Sequence, residues 1–124
     1  MMTSEGPVRI VVTGGREFSD RELLTRTLDA YRIVELAQGG ARGADRLAKE
    51  YAESNGIPVV TFDADWKQFR NAAGPMRNLR MLQHFRPDLV VAFPGGVGTA
   101  DCVQKARRLG FTVVTVWSRG ASGL

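Results

Sequence analysis

The residues of this chain with the clearest chemical potential form a glycine-rich segment, 94–99, with the sequence Pro-Gly-Gly-Val-Gly-Thr. The apolar run before it, 88–93, indicates a buried strand, and the run after it, 100–109, has the spacing of a helix. A strand-to-helix turn leaves backbone N–H groups unpaired at the helix N-terminus, where the helix dipole also favours an anion. Because glycine has no Cβ, this backbone can approach a ligand closely. The segment therefore predicts a phosphate cradle, to which Thr99 adds a hydroxyl group.

Two further glycine junctions repeat this pattern, each directly after an apolar run. They are Thr13-Gly14-Gly15-Arg16 and the segment from Gln38 to Asp45, which contains Arg42. In an open parallel sheet, ligands bind outside the carboxyl ends of the strands, near the point where the strand order reverses. Three such turns would line one crevice, where the planar guanidinium groups of Arg16 and Arg42 suit a phosphate. The pattern thus indicates a site for a phosphorylated ligand.

Polar residues elsewhere in the chain extend this candidate site. Arg77 and Asn78 lie in the first turn of a predicted helix, so Arg77 would add a third cation to the crevice. Asp45, at the start of another predicted helix, could offset the helix dipole, accept a hydrogen bond from a ribose hydroxyl or steady the neighbouring arginine. Trp66 could stack on a base, or it could pin a long loop as a partly buried aromatic.

The sequence therefore predicts a set of ligand-binding residues drawn from these loops and helix starts. They are Thr13, Gly14, Gly15, Arg16, Gly39, Gly40, Ala41, Arg42, Gly43, Asp45, Trp66, Asn78, Pro94, Gly95, Gly96, Gly98 and Thr99. We expect no metal ion and no cofactor, because one cysteine, Cys102, and one histidine, His84, do not make a structural zinc site. Cys102 is interpreted as a small buried hydrophobic residue and His84 as a helix-end residue.

Composition and charge restrict the class of protein. A chain of 124 residues with 44% hydrophobic content predicts one domain with a substantial core. No apolar run is long enough to span a bilayer, and the first residues lack the features of a signal peptide, so no membrane partner is expected. The single cysteine fits a reducing cytosol, and a cytoplasmic location is expected. The formal net charge of +4 favours anionic partners without choosing among a nucleotide, a nucleic acid and an acidic protein.

Hydrophobic periodicity divides the chain into alternating strands and helices. The predicted strands are 8–13, 33–37, 58–62, 88–93 and 111–116, and the predicted helices are 43–54, 75–85 and 100–109, together with one that begins near 19–20. Ser19 would cap that first helix, with Glu22 three residues later as in a capping box. The segment 63–75 has no clean period and is predicted to be a long, functional loop. We expect a single domain at 8–118, with a disordered tail at 1–7 and a loose tail at 119–124.

This alternation predicts an α/β fold, a Rossmann-like doubly wound parallel sheet of about five strands with helices on both faces. The near-continuous apolar strands agree with it, because such strands are buried on both sides. We predict the strand order 3-2-1-4-5. In that order the switch point lies between strands one and four, which places the loop 13–16 beside the segment 94–99.

The motifs quoted above resemble those of the SLOG superfamily, which includes the Lonely Guy cytokinin-activating phosphoribohydrolases and the DNA-processing protein DprA. The segment 94–99, with Arg77 and Met81 upstream, carries this likeness. The sequence is most similar to the small YspA-type branch of bacterial and phage proteins, with matching motifs at 13–16, 39–45, 64–66, 73–78 and 94–101. The resemblance extends from about Val8 to Val116 and implies the same Rossmann-like fold.

The enzymes of the superfamily imply one activity, cleavage of the N-glycosidic bond of a nucleoside 5′-monophosphate. Their motif reads Pro-Gly-Gly-x-Gly-Thr-x-x-Glu, and its glutamate acts at the ribose together with an upstream arginine. By position, the arginine matches Arg77, whereas the glutamate position holds Cys102. Asp101 lies one residue earlier, and one residue on a helix turns a side chain by about 100°. The resemblance therefore implies that Arg77 and Asp101 act as a pair only if the helix that carries Asp101 starts at a different residue. The missing glutamate leaves the predicted phosphate cradle intact.

Three functions are consistent with these residues. The leading hypothesis is a module that binds a nucleotide or a nucleotide-derived small molecule, as a sensor or a sequestering protein. The alternatives are a phosphoribohydrolase that acts through Arg77 and Asp101, and a protein that binds single-stranded nucleic acid. The sequence lacks the interleaved aromatic residues and the dense basic stripe that would favour binding of single-stranded nucleic acid. Related enzymes pair through helices that flank the site, so the resemblance also makes a homodimer plausible.

Overall fold

The computed structural model describes residues 6–117, which form one sheet of five strands with helices around it. The strands are β1 (Pro7–Thr13), β2 (Arg32–Gln38), β3 (Val59–Thr61), β4 (Leu89–Ala92) and β5 (Val113–Thr115). The helices are α1 (Arg21–Leu28), α2 (Ala44–Ser54), α3 (Trp66–Phe69), α4 (Ala73–Phe85) and α5 (Val97–Arg108), with a 3-10 turn at Arg70–Ala72. Each strand ends within one or two residues of the bounds expected from the sequence.

The sheet has the predicted order, β3-β2-β1-β4-β5, and all four strand pairings are parallel. Thr13 pairs with Ala92, so β1 and β4 end side by side. Gly15 N donates to Pro94 O at 2.9 Å and ties together the loops that follow these two strands. The Rossmann-like fold and its switch point between β1 and β4 are therefore confirmed.

Helices cover both faces of the sheet because the central strands are apolar on both. Ile10 and Val12 pack with buried residues of α1 and α2, whereas Val11 packs with buried residues of α4 and α5. Val91 and Val90 divide between the same two clusters. This alternation is the period of two of a strand. Two hydrophobic layers thus hold the central strands and fix the positions at which their loops emerge.

The first helix is capped by a different residue from the one expected. Asp20, rather than Ser19, is the N-cap of α1, and its carboxylate accepts a hydrogen bond from Leu23 N at 3.0 Å. A carboxylate here satisfies an N–H group that has no partner within the helix, and it also favours the positive end of the helix dipole. The third helical position of a capping box accordingly falls on Leu23, and the expectation for Glu22 was wrong.

The segment 63–75, expected to be a loop, is largely helical. Asp65 caps α3, and its carboxylate accepts a hydrogen bond from Gln68 N at 3.1 Å. The 3-10 turn leads directly into α4, which begins at Ala73 rather than at Pro75. Pro75 is tolerated because it lies in the first turn, where a backbone N–H has no partner in the helix. Helices this short present too few turns for a hydrophobic period to show in the sequence.

The fifth helix begins at Val97, rather than at Ala100 as expected. Gly96 is its N-cap, and Ala100 N donates to Gly96 O at 3.0 Å. Gly98 and Thr99 therefore lie inside the first turn of α5. The low helix propensity of glycine hid this start in the sequence.

The expected tails lie mostly outside the residues that the structure describes. Residues 1–5 and 118–124 fall outside 6–117, and so do the expected loose tail at 119–124 and the expected domain end at 118. Pro7, which was expected to belong to the N-terminal tail, is the first residue of β1.

Candidate functional site

A cavity of about 460 Å³ opens where β1 and β2 end and α5 begins. Its volume falls in the range of about 300–1,000 Å³ that is typical of small-molecule sites. Most of the residues expected from the sequence line it, and these are Thr13, Gly14, Gly15, Arg16, Gly39, Ala41, Asp45, Trp66, Arg77, Asn78, Gly96, Gly98, Thr99 and Asp101. The cavity lies at the switch point of the sheet, where ligands of open parallel sheets bind.

The structure places the other five expected residues around this cavity rather than on its wall. Gly40 and Arg42 line a second cavity, and Pro94 and Gly95 line a third. Gly43 is the N-cap of α2, with a φ of +81°, and a Cβ there would collide with Gly15 O. Gly43 therefore lets the start of α2 pack directly under the loop that follows β1.

The first turn of α5 presents backbone donors to the cavity. Because Ala100 N donates to Gly96 O, the N–H groups of Val97, Gly98 and Thr99 precede the first hydrogen bond within the helix. Gly96, Val97, Gly98 and Thr99 all line the cavity. A Cβ at Gly96 or at Gly98 would meet no atom within 4 Å, so the space above these two residues is open. This arrangement can accept an anion at the positive end of the helix dipole.

Arg16 supplies a cation at the junction of the three cavities, each of which it lines. Its guanidinium lies over the Trp66 ring, 5.2 Å from the ring centroid. Within residues 6–117 it forms no ion pair with a carboxylate. The side chain is therefore available to a ligand anion, while the Trp66 ring, 45% exposed, forms the wall beside it.

Arg42 lies farther from the α5 N-terminus than the sequence predicted. Its guanidinium forms an ion pair with Glu17 at 2.6 Å, and the two side chains are 61% and 88% exposed. Arg42 lines the second cavity, of about 360 Å³, rather than the first. The expectation that Arg16 and Arg42 share one crevice therefore needs refinement, because the two arginines meet only at this second cavity.

Arg77 is a cation on the cavity wall, and it also connects two parts of the fold through hydrogen bonds. Its guanidinium donates to Gly39 O and, at 2.9 Å, to Asn78 Oδ1. Burial lowers the pKa of Arg77 from its ordinary value, and the nearby Asp45 carboxylate opposes that shift. The side chain thus links the loop after β2 to the start of α4, with its donors already directed at protein acceptors.

Asp45 is a buried carboxylate on the cavity wall, with 6% of its surface exposed. Burial raises its pKa to about 6, although a hydrogen bond from Ala41 and the charges of Arg77 and Arg16 act in the opposite direction. Ala41 N donates to Asp45 Oδ2 at 3.2 Å, which steadies the loop after β2. A carboxyl group in this position can accept a hydrogen bond from a ligand hydroxyl.

Asp101 also lines the cavity, and two neighbours hold its carboxylate. Asn78 Nδ2 donates to Asp101 Oδ2 at 3.0 Å, and Lys105 Nζ lies 2.7 Å from Asp101 Oδ1. Asn78 is 4% exposed and also donates to Gly98 O at 3.2 Å. Asn78 therefore anchors α4 to the first turn of α5, and the early start of α5 carries Asp101 into the site.

Cys102, the residue at the glutamate position of the enzyme motif, does not belong to the cavity wall. It is fully buried in the cluster formed by α4, α5 and the sheet. Burial raises the pKa of its thiol to about 11, so the thiol stays protonated at neutral pH. Cys102 is thus the small buried hydrophobic residue that the sequence indicated. Within residues 6–117, no group of histidine, cysteine, aspartate and glutamate side chains is arranged to hold a metal ion.

Two positioning residues were missed by the sequence interpretation. Gln38 is fully buried at the end of β2, where its Nε2 donates to Thr61 Oγ1 and its Oε1 accepts from Gly40 N, each at 2.6 Å. Lys105 pairs with Asp101 across one helical turn and donates to Pro75 O at 3.2 Å. The sequence did contain a signal for each residue. Gln38 is a polar residue at the end of an apolar strand, and Lys105 follows Asp101 by four residues, the spacing of a side-chain pair on a helix.

The fold and the cavity define a Rossmann-like α/β protein with a cavity at the switch point of its sheet. The chain belongs to the YspA, cpYpsA-related SLOG family (YAcAr), whose family model matches residues 8–69. No helix among the described residues has both the length and the apolar character that a membrane span requires.

Among solved structures, the chain is similar to a short-chain dehydrogenase/reductase from Veillonella parvula in complex with NADP. The TM-score is 0.50 and the sequence identity 15%, with 94% of this chain and 50% of the dehydrogenase chain covered. This chain thus spans half the length of that enzyme, and the likeness is one of fold. The curated proteins yield no match.

Proposed function

We propose that the protein binds a nucleotide or a nucleotide-derived small molecule in the cavity at the switch point. The observation that carries the proposal is the meeting of three features in one cavity: the N-terminus of α5, the guanidinium of Arg16 and the ring of Trp66. The helix N-terminus and the arginine suit a phosphate, and the indole ring suits a base. A carboxyl group, that of Asp45, lies in the same cavity and suits a ribose hydroxyl.

The comparisons support this proposal at the level of fold. The similar dehydrogenase was solved with NADP, a nucleotide. Open α/β sheets bind nucleotides outside the carboxyl ends of the strands, and the cavity of this chain lies at that edge. The glycines of α5 leave the backbone donors uncovered, which is what a bound phosphate requires.

The test is calorimetric titration of the full chain with a panel of nucleoside 5′-monophosphates, 5′-diphosphates and 3′,5′-bisphosphates, followed by the Arg16→Gln variant. Loss of the arginine should weaken the binding of the preferred nucleotide about tenfold, since a charge-assisted hydrogen bond to phosphate disappears. Arg32→Gln, at an exposed position at the opposite end of the sheet, serves as the charge-matched control. Absence of binding across the panel, or equal affinity in both variants, would sink the proposal.

A second candidate, hydrolysis of the N-glycosidic bond, is favoured by the position of Asp101. Because α5 begins at Val97, the carboxylate of Asp101 lies in the same cavity as Arg77 and the anion cradle. An ionised carboxylate near the anomeric carbon would stabilise the positive charge that grows there in the transition state. Lys105 and Asn78 hold this carboxylate in one orientation.

Chromatography of nucleotide samples incubated with the protein distinguishes the two candidates. A binding module returns the nucleotide intact, whereas a hydrolase releases free base and ribose phosphate. Release that disappears in Asp101→Asn and persists in Glu53→Gln, a change at an exposed carboxylate on the wall of none of the three cavities, would establish the hydrolase. Intact nucleotide after long incubation across the panel would exclude it for those substrates.

A further inference from the structure

A second cavity, of about 360 Å³, adjoins the first beyond the end of β2. The two cavities share Arg16, Gly39, Ala41, Trp66 and Arg77 on their walls. Five shared residues mean that the cavities are two lobes of one cleft, with the Trp66 ring and the Arg16 guanidinium at their junction. A ligand held at the α5 N-terminus can therefore extend past this junction into the second lobe.

The charges around the second lobe are mainly positive. Arg16 and Arg42 line it from the loops after β1 and β2, and Arg77 lines it from α4. Among residues 6–117, Asp63 is the one carboxylate on its wall. Gly40, in the loop after β2, is exposed on this wall. Its φ is +77°, and a Cβ there would lie 2.6 Å from Asp63 Oδ1, so the position favours glycine. The lobe thus combines exposed backbone with an excess of guanidinium groups.

The Arg42 side chain can leave Glu17 and bind a ligand in this lobe with little loss of free energy. Its present partner, Glu17, is 88% exposed, and the ion pair stands in solvent. Exposed ion pairs contribute little to stability because water and salt screen them. A phosphoryl group offers the planar guanidinium two oxygens in a less hydrated setting and so replaces the Glu17 carboxylate favourably.

We propose that the ligand carries a second phosphoryl group, which the second lobe binds through Arg42 and Arg16. The preferred ligand class is accordingly a nucleotide with two phosphoryl groups, on one or on both sides of its ribose, rather than a nucleoside monophosphate. This proposal rests on the nucleotide-binding function proposed above and adds the identity of the group beyond the first phosphate.

The test compares the 5′-monophosphate, the 5′-diphosphate and the 3′,5′-bisphosphate of the preferred nucleoside by calorimetry on the full chain. At least one ligand with two phosphoryl groups should bind about tenfold more tightly than the monophosphate, as expected for an added charge-assisted contact. In Arg42→Gln that gain should disappear, whereas monophosphate affinity should stay the same. Arg46→Gln, four residues along and on the wall of none of the three cavities, should keep the gain.

Three results overturn the proposal in distinguishable ways. Equal affinity for all three ligands would show that the second lobe holds no phosphoryl group, while nucleotide binding itself stands. A gain that survives Arg42→Gln would place the second phosphoryl group elsewhere. Absence of binding by every nucleotide would remove the proposed function together with this extension of it.

Discussion

Three arginines converge on the cleft, and their partners assign each a different task. Arg77 donates to protein acceptors and ties two loops together, Arg42 pairs with Glu17 in solvent, and Arg16 lies over the Trp66 ring. Two of the three guanidinium nitrogens of Arg77 already donate to protein oxygens, which leaves fewer donors for a ligand. Residue type alone predicted three equivalent cations, whereas the contacts favour Arg16 as the cation of the proposed phosphate site.

A stacking role for Trp66 can be separated from a role in the fold. Trp66→Leu should lower nucleotide affinity about tenfold, because stacking on an aromatic ring contributes about 1–3 kcal/mol per base. Affinity for ribose 5-phosphate should stay the same, since that ligand has no base. Competition calorimetry with both ligands measures the difference.

Trp117→Leu is the matched control for this variant, because Trp117 is 76% exposed and lines none of the three cavities. Equal weakening of nucleotide and ribose 5-phosphate binding in Trp66→Leu would contradict stacking. It would indicate instead that the ring only pins its segment against Gly74, where a Cβ would lie 3.1 Å from the Trp66 ring.

The buried carboxyl group of Asp45 should make stability depend on pH. Its pKa is about 6 in the folded protein and 3.8 in the unfolded chain. Well below pH 3.8 both states carry the proton, and the group makes no difference. Between pH 3.8 and about 6 the unfolded chain ionises Asp45 while the folded protein retains the proton, and above that range both states are ionised. The free energy of unfolding therefore falls with rising pH over this window, by up to about 3 kcal/mol.

Replacement of Asp45 by asparagine tests that sign. Asp45→Asn should raise the free energy of unfolding by about 1–3 kcal/mol at pH 8 and leave it nearly unchanged at pH 4. Urea titrations at the two pH values give the comparison, with Glu53→Gln as an exposed control on the same helix. The same gain at both pH values would mean that ionisation of Asp45 is not its source.

At the scale of elements, the contact between the loops after β1 and β2 depends on glycine. Gly43 has a φ of +81°, and a Cβ there would collide with Gly15 O and lie 2.6 Å from Arg16 O. Gly43→Ala should therefore lower the free energy of unfolding by about 2–4 kcal/mol, which urea titration would measure. Gly56→Ala measures the cost of a positive φ alone, because Gly56 has a φ of +68° and open space around it. This variant should lower the free energy of unfolding by about 1–2 kcal/mol. Equal losses would contradict a steric contact between the two loops.

The helices and strands also show which parts of the fold could be predicted from the sequence. Strand positions and order were predictable, because the apolar runs and their alternation with helices are local signals that the parallel sheet obeys. The start of α5 was not, since glycines at 95, 96 and 98 indicate a loop by propensity. Gly98 is nevertheless helical, and its carbonyl oxygen accepts a hydrogen bond from Asn78 of α4, a contact that no local pattern records. The segment 63–75 was missed because α3 and the 3-10 turn are shorter than a helical period needs.

The site, like the fold, was predictable from the sequence only where the signal is local. Glycine-rich loops at strand ends identified the region of the cavity, because parallel strands end at one edge of a sheet. Side-chain partners across helices depend on packing that no local pattern records. The hydrogen bonds of Asn78 and the pairing of Arg42 with Glu17 are of this kind.

At the scale of the whole molecule, the described residues should unfold as one unit. The two hydrophobic clusters lie on opposite faces of one sheet and take alternate residues of the same strands, such as Ile10 and Val11. Neither cluster can lose its strand without exposing the other. Tryptophan fluorescence and far-ultraviolet circular dichroism should therefore report a single, coincident urea transition. Two separated transitions would show that the faces of the sheet unfold independently.

The contact between Gly39 and Arg77 has a consequence for how this sequence can change. The Arg77 guanidinium fills the space into which a Cβ of residue 39 would project. A side chain at position 39 therefore requires the Arg77 guanidinium to move and to give up its hydrogen bond to Gly39 O, so the effects of substitutions at the two positions are coupled. A double replacement of Gly39 and Arg77 should cost less than its two single steps combined.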